Sequence, residues 1–221
     1  MNLFVTGTDT GVGKTHTVVQ LLRLTRKSGE SCAGFKPICC GDRRDAERLL
    51  EASDSSLTLD EINPVWLKTP AAPIVAAKIE NVRIDAARLI AAFNALQKRV
   101  QHIVVEGAGG WLVPIRRDYF VSDLAGEMKL PVVVVVQNRL GCLNHAALTE
   151  KNIESCGLHC AALVLNALPD ADDVAVRTNA SVLREISRAP VLGGLTEEMR
   201  ELPSDWSEMI KSVASSQMLA E

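Results

Sequence analysis

The sequence predicts an α/β fold: a mostly parallel sheet with helices on both faces. Short β-branched runs alternate along the chain with longer stretches of helical periodicity, the mark of βαβ units. The runs are near-continuously apolar, as strands buried on both faces must be. With 221 residues, 47% of them hydrophobic, the chain is long enough for one large core. No internal repeat or low-complexity linker divides it, so a single domain over 1–221 is expected.

The first strand is read at 2–6. The stretch "KTHTVVQLLRLTRKSG" (14–29) then keeps Val18, Leu21, Leu22 and Thr25 on one face, the spacing of an amphipathic helix. Arg26 and Lys27 just before Gly29 suit the end of that helix, where cations meet the negative dipole and glycine takes the stop. A strand is expected at 32–36 and a helix at 45–53. Pro70 and Pro73 mark 57–73 as a connection without regular structure. A strong helix at 83–101 is entered through Asp85 as its cap, and leads to a strand at 102–106. Strands at 131–136, 160–165 and 190–192 are separated by helices at 144–158, which stops at Gly157, and at 172–187.

Composition excludes several classes of partner. The net charge is -3, without the clustered Lys and Arg that gain from counterion release, so neither nucleic acid nor a membrane surface is expected. The longest apolar run, "LPVVVVV" at 130–136, falls far short of the roughly 18 residues of a membrane span. Met1-Asn2-Leu3-Phe4 enters a strand with no basic leader, so a cytoplasmic location is expected. The six cysteines lack the C-x-x-C spacing of a zinc site and fit reduced, packed thiols.

The chemistry concentrates where the first strand ends. "VTGTDTGVGKT" (5–15) closes on Gly13-Lys14-Thr15, the ending of a phosphate-binding loop, although Thr8 stands where the strict G-x-x-x-x-G-K-[ST] spacing wants glycine. Strand, glycine loop and helix in that order are what a phosphate cradle requires. Gly11 and Gly13 let the backbone curl until N–H groups face phosphate oxygens, and the helix N-terminus adds partial positive charge. Lys14 is then placed to reach the β- and γ-phosphates of ATP, and Thr15 to offer its hydroxyl to Mg²⁺.

A Mg-nucleotide site also needs a carboxylate at a neighbouring strand end, because hard Mg²⁺ prefers oxygen ligands. "HIVVEGAGGW" (102–111) supplies Glu106 at the carboxyl end of a buried strand, followed by glycines that allow close backbone approach to a ligand. "AGFKPICCGD" (33–42) makes a parallel case. Lys36 leaves a strand just before Pro37 ends sheet pairing, which puts it at the same sheet edge as Lys14. Two lysines near one triphosphate can neutralise a transferring phosphoryl group. Asp45, or Asp42 three residues earlier, is placed to orient or ligate Mg²⁺, and spacing alone leaves the choice open.

Taken in order, "VTGTDTGVGKT", "GFKPICCGD", "VVEGAGGW", "LPVVVVVQNRLGCLNHAALT", "LVLNA" and "APVLGGL" resemble the dethiobiotin synthetases over residues 3 to about 198. The resemblance implies a single-domain P-loop NTPase and homodimer. It implies an ATP-dependent cyclo-ligase joining CO₂ (or bicarbonate) to 7,8-diaminopelargonate through a carbamate and a carbamic-phosphoric anhydride. It further implies that Gly11, Val12, Gly13, Lys14, Thr15 and His16 hold the triphosphate, and that Lys14 and Lys36 stabilise the carbamate and the transferring phosphoryl. Thr15, Asp45 and Glu106 would surround Mg²⁺. Thr10, Lys36, Cys40 and the glycines after Glu106 would line the diamine, Glu106, Gly107, Ala108 and Gly109 would also border the nucleotide, and Asn166, Leu195, Thr196 and Glu197 would meet the nucleobase. Gly141, Cys142, Leu143 and Asn144 would hold the substrate's tail carboxylate from the partner chain through helix N-terminal N–H groups. Cys40 replaces a serine common in the family, and Thr196 a proline.

Two other readings are weaker. An amide synthetase for cobyrinate-like carboxylates would bring a glutaminase domain, for which 221 residues leave no room. Switch ATPases with a deviant phosphate loop carry a second lysine five residues before the first, where this chain has Asp9, and a basic amphipathic tail is also lacking.

Overall fold

A computed structural model describes residues 1–54, 56–167 and 173–218. β1 (Asn2–Gly7) leads through the glycine loop into α1 (Lys14–Lys27), β2 (Cys32–Phe35), β3 (Ile38–Cys40) and α2 (Arg44–Ala52). Next come α3 (Leu59–Ile62), β4 (Val65–Leu67), α4 (Pro73–Ile79), α5 (Ala86–Gln97) and β5 (His102–Glu106). A hairpin of β6 (Pro114–Arg116) and β7 (Tyr119–Phe120) precedes α6 (Val121–Met128), β8 (Val132–Gln137) and α7 (Cys142–Ser155). The chain continues through β9 (Cys160–Asn166), α8 (Val174–Ile186), β10 (Val191–Gly193) and α9 (Ser204–Met218).

Six of these strands form one sheet in the order β10-β9-β8-β1-β5-β2, and every pairing in it is parallel. Both faces are covered by helices, so β8 can be five consecutive valines, Val132 to Val136, without exposing any of them. The chain goes from β1 to the β2 edge, returns to β5, and then crosses β1 to β8. Connections therefore leave in opposite directions around β1, which opens a crevice at the carboxyl ends of the central strands, where such sheets bind ligands.

The expected strands and helices are all found, with ends shifted by a few residues. Val18, Leu21, Leu22 and Thr25 are the buried face of α1, Gly29 takes a positive φ after it, and Asp85 caps α5 by accepting from the Ala87 N–H at 3.0 Å. Residue 172, the expected start of the helix before β10, lies outside the described residues.

The segment 57–73 departs from expectation. It holds α3, where Thr58 and Glu61 form a capping box, and β4, which pairs in parallel with β3 as a separate two-stranded sheet. Pro37 does end pairing in the main sheet, but the chain resumes as a strand one residue later. Both new strands are three residues long, too short to show a period. α4, α6, the β6/β7 hairpin and α9 also go beyond the elements expected from the sequence. The last is anchored by buried Trp206, Met209 and Val213, with Trp206 Nε1 donating to the Gly193 carbonyl at 3.0 Å. Among the described residues no helix is long and apolar enough to cross a membrane.

Candidate active site

The glycine loop is held by its own lysine: Lys14 Nζ donates to the Asp9 carbonyl at 2.9 Å. Gly11 at φ +76° and Gly13 at φ +98° make the curl, in a region where other side chains are strained. The Asp9 carboxylate accepts from the Thr10 N–H at 2.7 Å, so this residue braces the loop. Asn166, at the end of β9, donates from Nδ2 to the Val12 carbonyl at 2.9 Å. His16 Nε2 lies 2.7 Å from the Leu195 carbonyl, which calls for the tautomer protonated at Nε2. Residues 154 and 179 positions away along the chain thus join the cradle.

Sheet register builds the second half of the site. Phe35 stands beside Val105, so Lys36, the next residue, arrives beside Glu106 at the carboxyl edge. Lys36 Nζ lies 2.5 Å from Glu106 Oε1 and 3.1 Å from Asp45 Oδ2. The Thr15 hydroxyl donates to the same Glu106 Oε1 at 2.9 Å. Lys36 and Glu106 are 4% and 0% exposed, and such burial is tolerable only because the charges are paired. The pairing is incomplete: Glu106 Oε2 is buried without a hydrogen-bond partner. An acceptor left over in a charged cluster marks room for a cation or donor.

The turn of α2 sets Asp42 and Asp45 in different surroundings. Asp45, in its first turn, faces Lys36, whereas Asp42 pairs at the surface with Arg44 at 3.6 Å.

A cleft of about 450 Å³ opens over this cluster. Thr10, Lys36, Cys40, Asp45, Ala108 and Gly109, expected from dispersed stretches, share its walls. Pro70 to Pro73, with Ile38, Cys39 and Val113, complete the lining, and of these only the two prolines stand out in the sequence. Gly107 stands behind the cleft: its N–H donates to the Val5 carbonyl at 2.9 Å, and a Cβ there would touch Phe4 and Val121. Gly141, Cys142, Leu143 and Asn144 begin α7 and line no part of the cleft. Leu195 is buried beside His16, while Thr196 and Glu197 are exposed.

Residues 1–200 match a family described as an AAA domain. The ATP-dependent dethiobiotin synthetase of Akkermansia muciniphila is 47% identical over 194 residues, 88% of this chain and 91% of that protein. The protein of that name from Bacillus subtilis is 35% identical over 195 residues, covering 86% of this chain and 84% of its own. The chain belongs to the dethiobiotin synthetase family.

Solved structures agree on the fold alone. A ParA family ATPase from Chlorobium tepidum superposes with a TM-score of 0.52 at 15% identity, covering 97% of this chain and 90% of that one. The signal recognition particle receptor FtsY from Elizabethkingia anophelis gives 0.52 at 14% identity, covering 96% and 64%.

In this dethiobiotin synthetase family member the two lysines are electrically unlike. Burial pushes Lys14 down to about 8, and the charge of Lys36 adds to the effect. Burial also opposes the charge of Lys36, but Glu106 and Asp45 outweigh it and hold that amine above the usual lysine range. Burial would raise Asp45, yet Lys36, Thr15 and Lys14 hold it below its ordinary value.

The lowered Lys14 has two pH consequences of opposite sign. From about 8 to 10.5 the unfolded chain binds more protons at this group than the folded one, so its contribution to stability rises with pH. Nucleotide affinity is expected to fall over the same window, by up to about tenfold per pH unit, because the polyphosphate needs the cation. Calorimetric ATP titrations and thermal unfolding across pH 7–10 check both, and an affinity flat through that window would exclude the second.

Gly13→Ala is expected to destabilise the loop by about 1–2 kcal/mol through its left-handed φ. The new Cβ would also fall 2.1 Å from Asn166 Nδ2, so Asn166 must swing away and lose its bond to Val12. Urea unfolding and ATP titration of the variant measure the two effects, and native values of both would count against this role of Gly13.

Proposed function

We propose that this protein closes the cyclic urea of dethiobiotin from 7,8-diaminopelargonate, CO₂ and ATP. One observation carries the reading: a single cleft joins the phosphate loop at Thr10 to Lys36, Asp45 and the Glu106 turn. Such a space suits a reaction in which a second substrate must meet a triphosphate.

The chemistry follows from charge. One amine of the substrate adds to CO₂ and loses a proton, giving a carbamate. The carbamate oxygen attacks the γ-phosphorus of ATP, and the bond to ADP breaks. The second amine then attacks the resulting mixed anhydride, losing a proton as phosphate departs and the ring closes. In the phosphoryl step an anion approaches a polyanion, and fixed cations lower that barrier most. Lys14, held toward the loop by the Asp9 carbonyl, neutralises the β- and γ-phosphates. Lys36, clamped between two carboxylates in the wall of the cleft, faces the carbamate. The N–H groups of 11–16 cradle the phosphates, and Asn166 with 195–197 borders the base.

Thr15, Asp45 and Glu106 form a set of oxygen donors suited to Mg²⁺, and the unpartnered Glu106 Oε2 supports that assignment. When bound, Mg²⁺ supplies charge neutralisation at the phosphates.

The substrate's carboxylate tail is proposed to meet Gly141–Asn144 of a second copy, since within one chain these residues line no wall of the cleft. Exposed Leu112, Leu140 and Leu148 support a homodimer. We take 1–221 as one working unit in the cytoplasm. Sedimentation of Leu148→Glu against the native chain tests the dimer, and an unchanged mass would count against it.

The test of the reaction is carbon-14 from bicarbonate in a cyclic urea product, dependent on both ATP and the diamine. Phosphate release from ATP at full rate without bicarbonate and the diamine would point instead to a nucleotide switch.

A further inference from the structure

We propose that Asn63 is a positioning residue for Lys36, setting where the lysine stands by holding its backbone. The inference rests on the role of Lys36 given above. Lys36 is the last residue before Pro37, and its backbone has left the main sheet. Its N–H donates to the Ile62 carbonyl at 2.8 Å, and its carbonyl accepts from Asn63 Nδ2 at 2.7 Å. Both backbone groups of the lysine are therefore held by two consecutive residues from the end of α3.

Asn63 is 1% exposed, and its three hydrogen bonds fix the orientation of its amide. Its Nδ2 donates to two carbonyls, of Lys36 at 2.7 Å and of Val65 at 3.0 Å. Its Oδ1 accepts from Arg43 Nε at 2.9 Å. An amide flipped end for end would set oxygen against two carbonyls and nitrogen against a guanidinium, losing all three bonds. Arg43 tightens the grip further, with Nη2 donating to the Asn63 carbonyl and to Asp60 Oδ1, each at 2.7 Å. Arg43 immediately precedes α2, the helix carrying Asp45, so one buried amide ties the lysine's backbone to the segment that carries one of its two counter-charges.

No residue of this clamp touches the phosphate loop in these bonds, so its loss should appear in turnover and not in nucleotide affinity. A displacement of about 1 Å at a reacting group costs on the order of 100-fold. Asn63→Asp keeps shape and the acceptor for Arg43 but removes both donors and sets a carboxylate against two carbonyls. The expected result for Asn63→Asp and Asn63→Ala is a fall in kcat of about 10- to 100-fold, with the Kd for ATP unchanged within about twofold. Because the clamp acts through Lys36, adding either change to Lys36→Gln should produce no further loss. Arg43→Ala leaves the amide in place and removes the group that orients it, and it carries the same measurements if the Asn63 variants do not fold. Native kcat in the variants, an equal loss of ATP affinity, or a further drop in the Lys36→Gln background would overturn the proposal. If Lys36→Gln itself turns over normally, the role of Lys36 has failed instead, and the two failures are distinguished.

Discussion

Lys36→Gln is expected to lower turnover by about a thousandfold or more while leaving ATP binding nearly native. Glutamine preserves most of the side chain's reach and can still donate to Glu106 Oε1, but it carries no charge. Lys36 is 4% exposed and sits 2.5 Å from Glu106, so the positive charge is presented in a place where water cannot substitute for it. A preorganised cation in a water-poor site is worth far more to a transition state than one in solvent. ATP affinity is expected to depend instead on the loop and Lys14. Single-turnover phosphate release, with the Kd for ATP measured in parallel, separates the two. Near-native release would show that the second lysine is not part of the chemistry.

Glu106→Gln is expected to fail in stability as well as in activity. Glu106 is fully buried, receives Lys36 and Thr15 on one oxygen, and is the nearer of two counter-charges to Lys36. Its neutral isostere leaves the buried ammonium with Asp45, whose side chain is 46% exposed. Removing one partner of a buried ion pair typically costs about 3–5 kcal/mol. The urea midpoint should fall accordingly, and the Mg²⁺ concentration needed for half-maximal turnover should rise. Combining Lys36→Gln with Glu106→Gln should recover part of the stability, since no buried charge is left unpaired, and none of the activity. A single variant as stable as the native chain would contradict the electrostatic account of the pair.

Much of the site is readable before folding, the phosphate loop because it is local. Gly11, Gly13, Lys14 and Thr15 belong to one strand-loop-helix unit whose residues serve each other within a few positions. Lys36 and Glu106 are legible for a different reason: each ends an apolar run, and parallel strands put such ends at one edge. The parts that escaped reading are those held by distant partners. β3 and β4 are strands only because each supplies the other's hydrogen bonds. Asn63 is an unremarked polar residue in a proline-punctuated segment until Arg43 and the Lys36 carbonyl surround it. The Asp42 and Asp45 alternatives look alike at three-residue spacing, and only the helix turn separates them.

By itself, then, the sequence determined the α/β class, the order of the main strands along the chain, the phosphate loop and the family. All of these rest on periodicity, glycine placement and residue runs that are local along the chain. Tertiary structure alone decided which carboxylate meets Lys36, how Asn166 and Leu195 close on the loop, and that Pro70 to Pro73 wall the cleft. Those outcomes depend on strand register and on burial, which make a charge costly unless a partner stands within hydrogen-bond reach. Neither can be read from positions along a chain whose ends have not yet met.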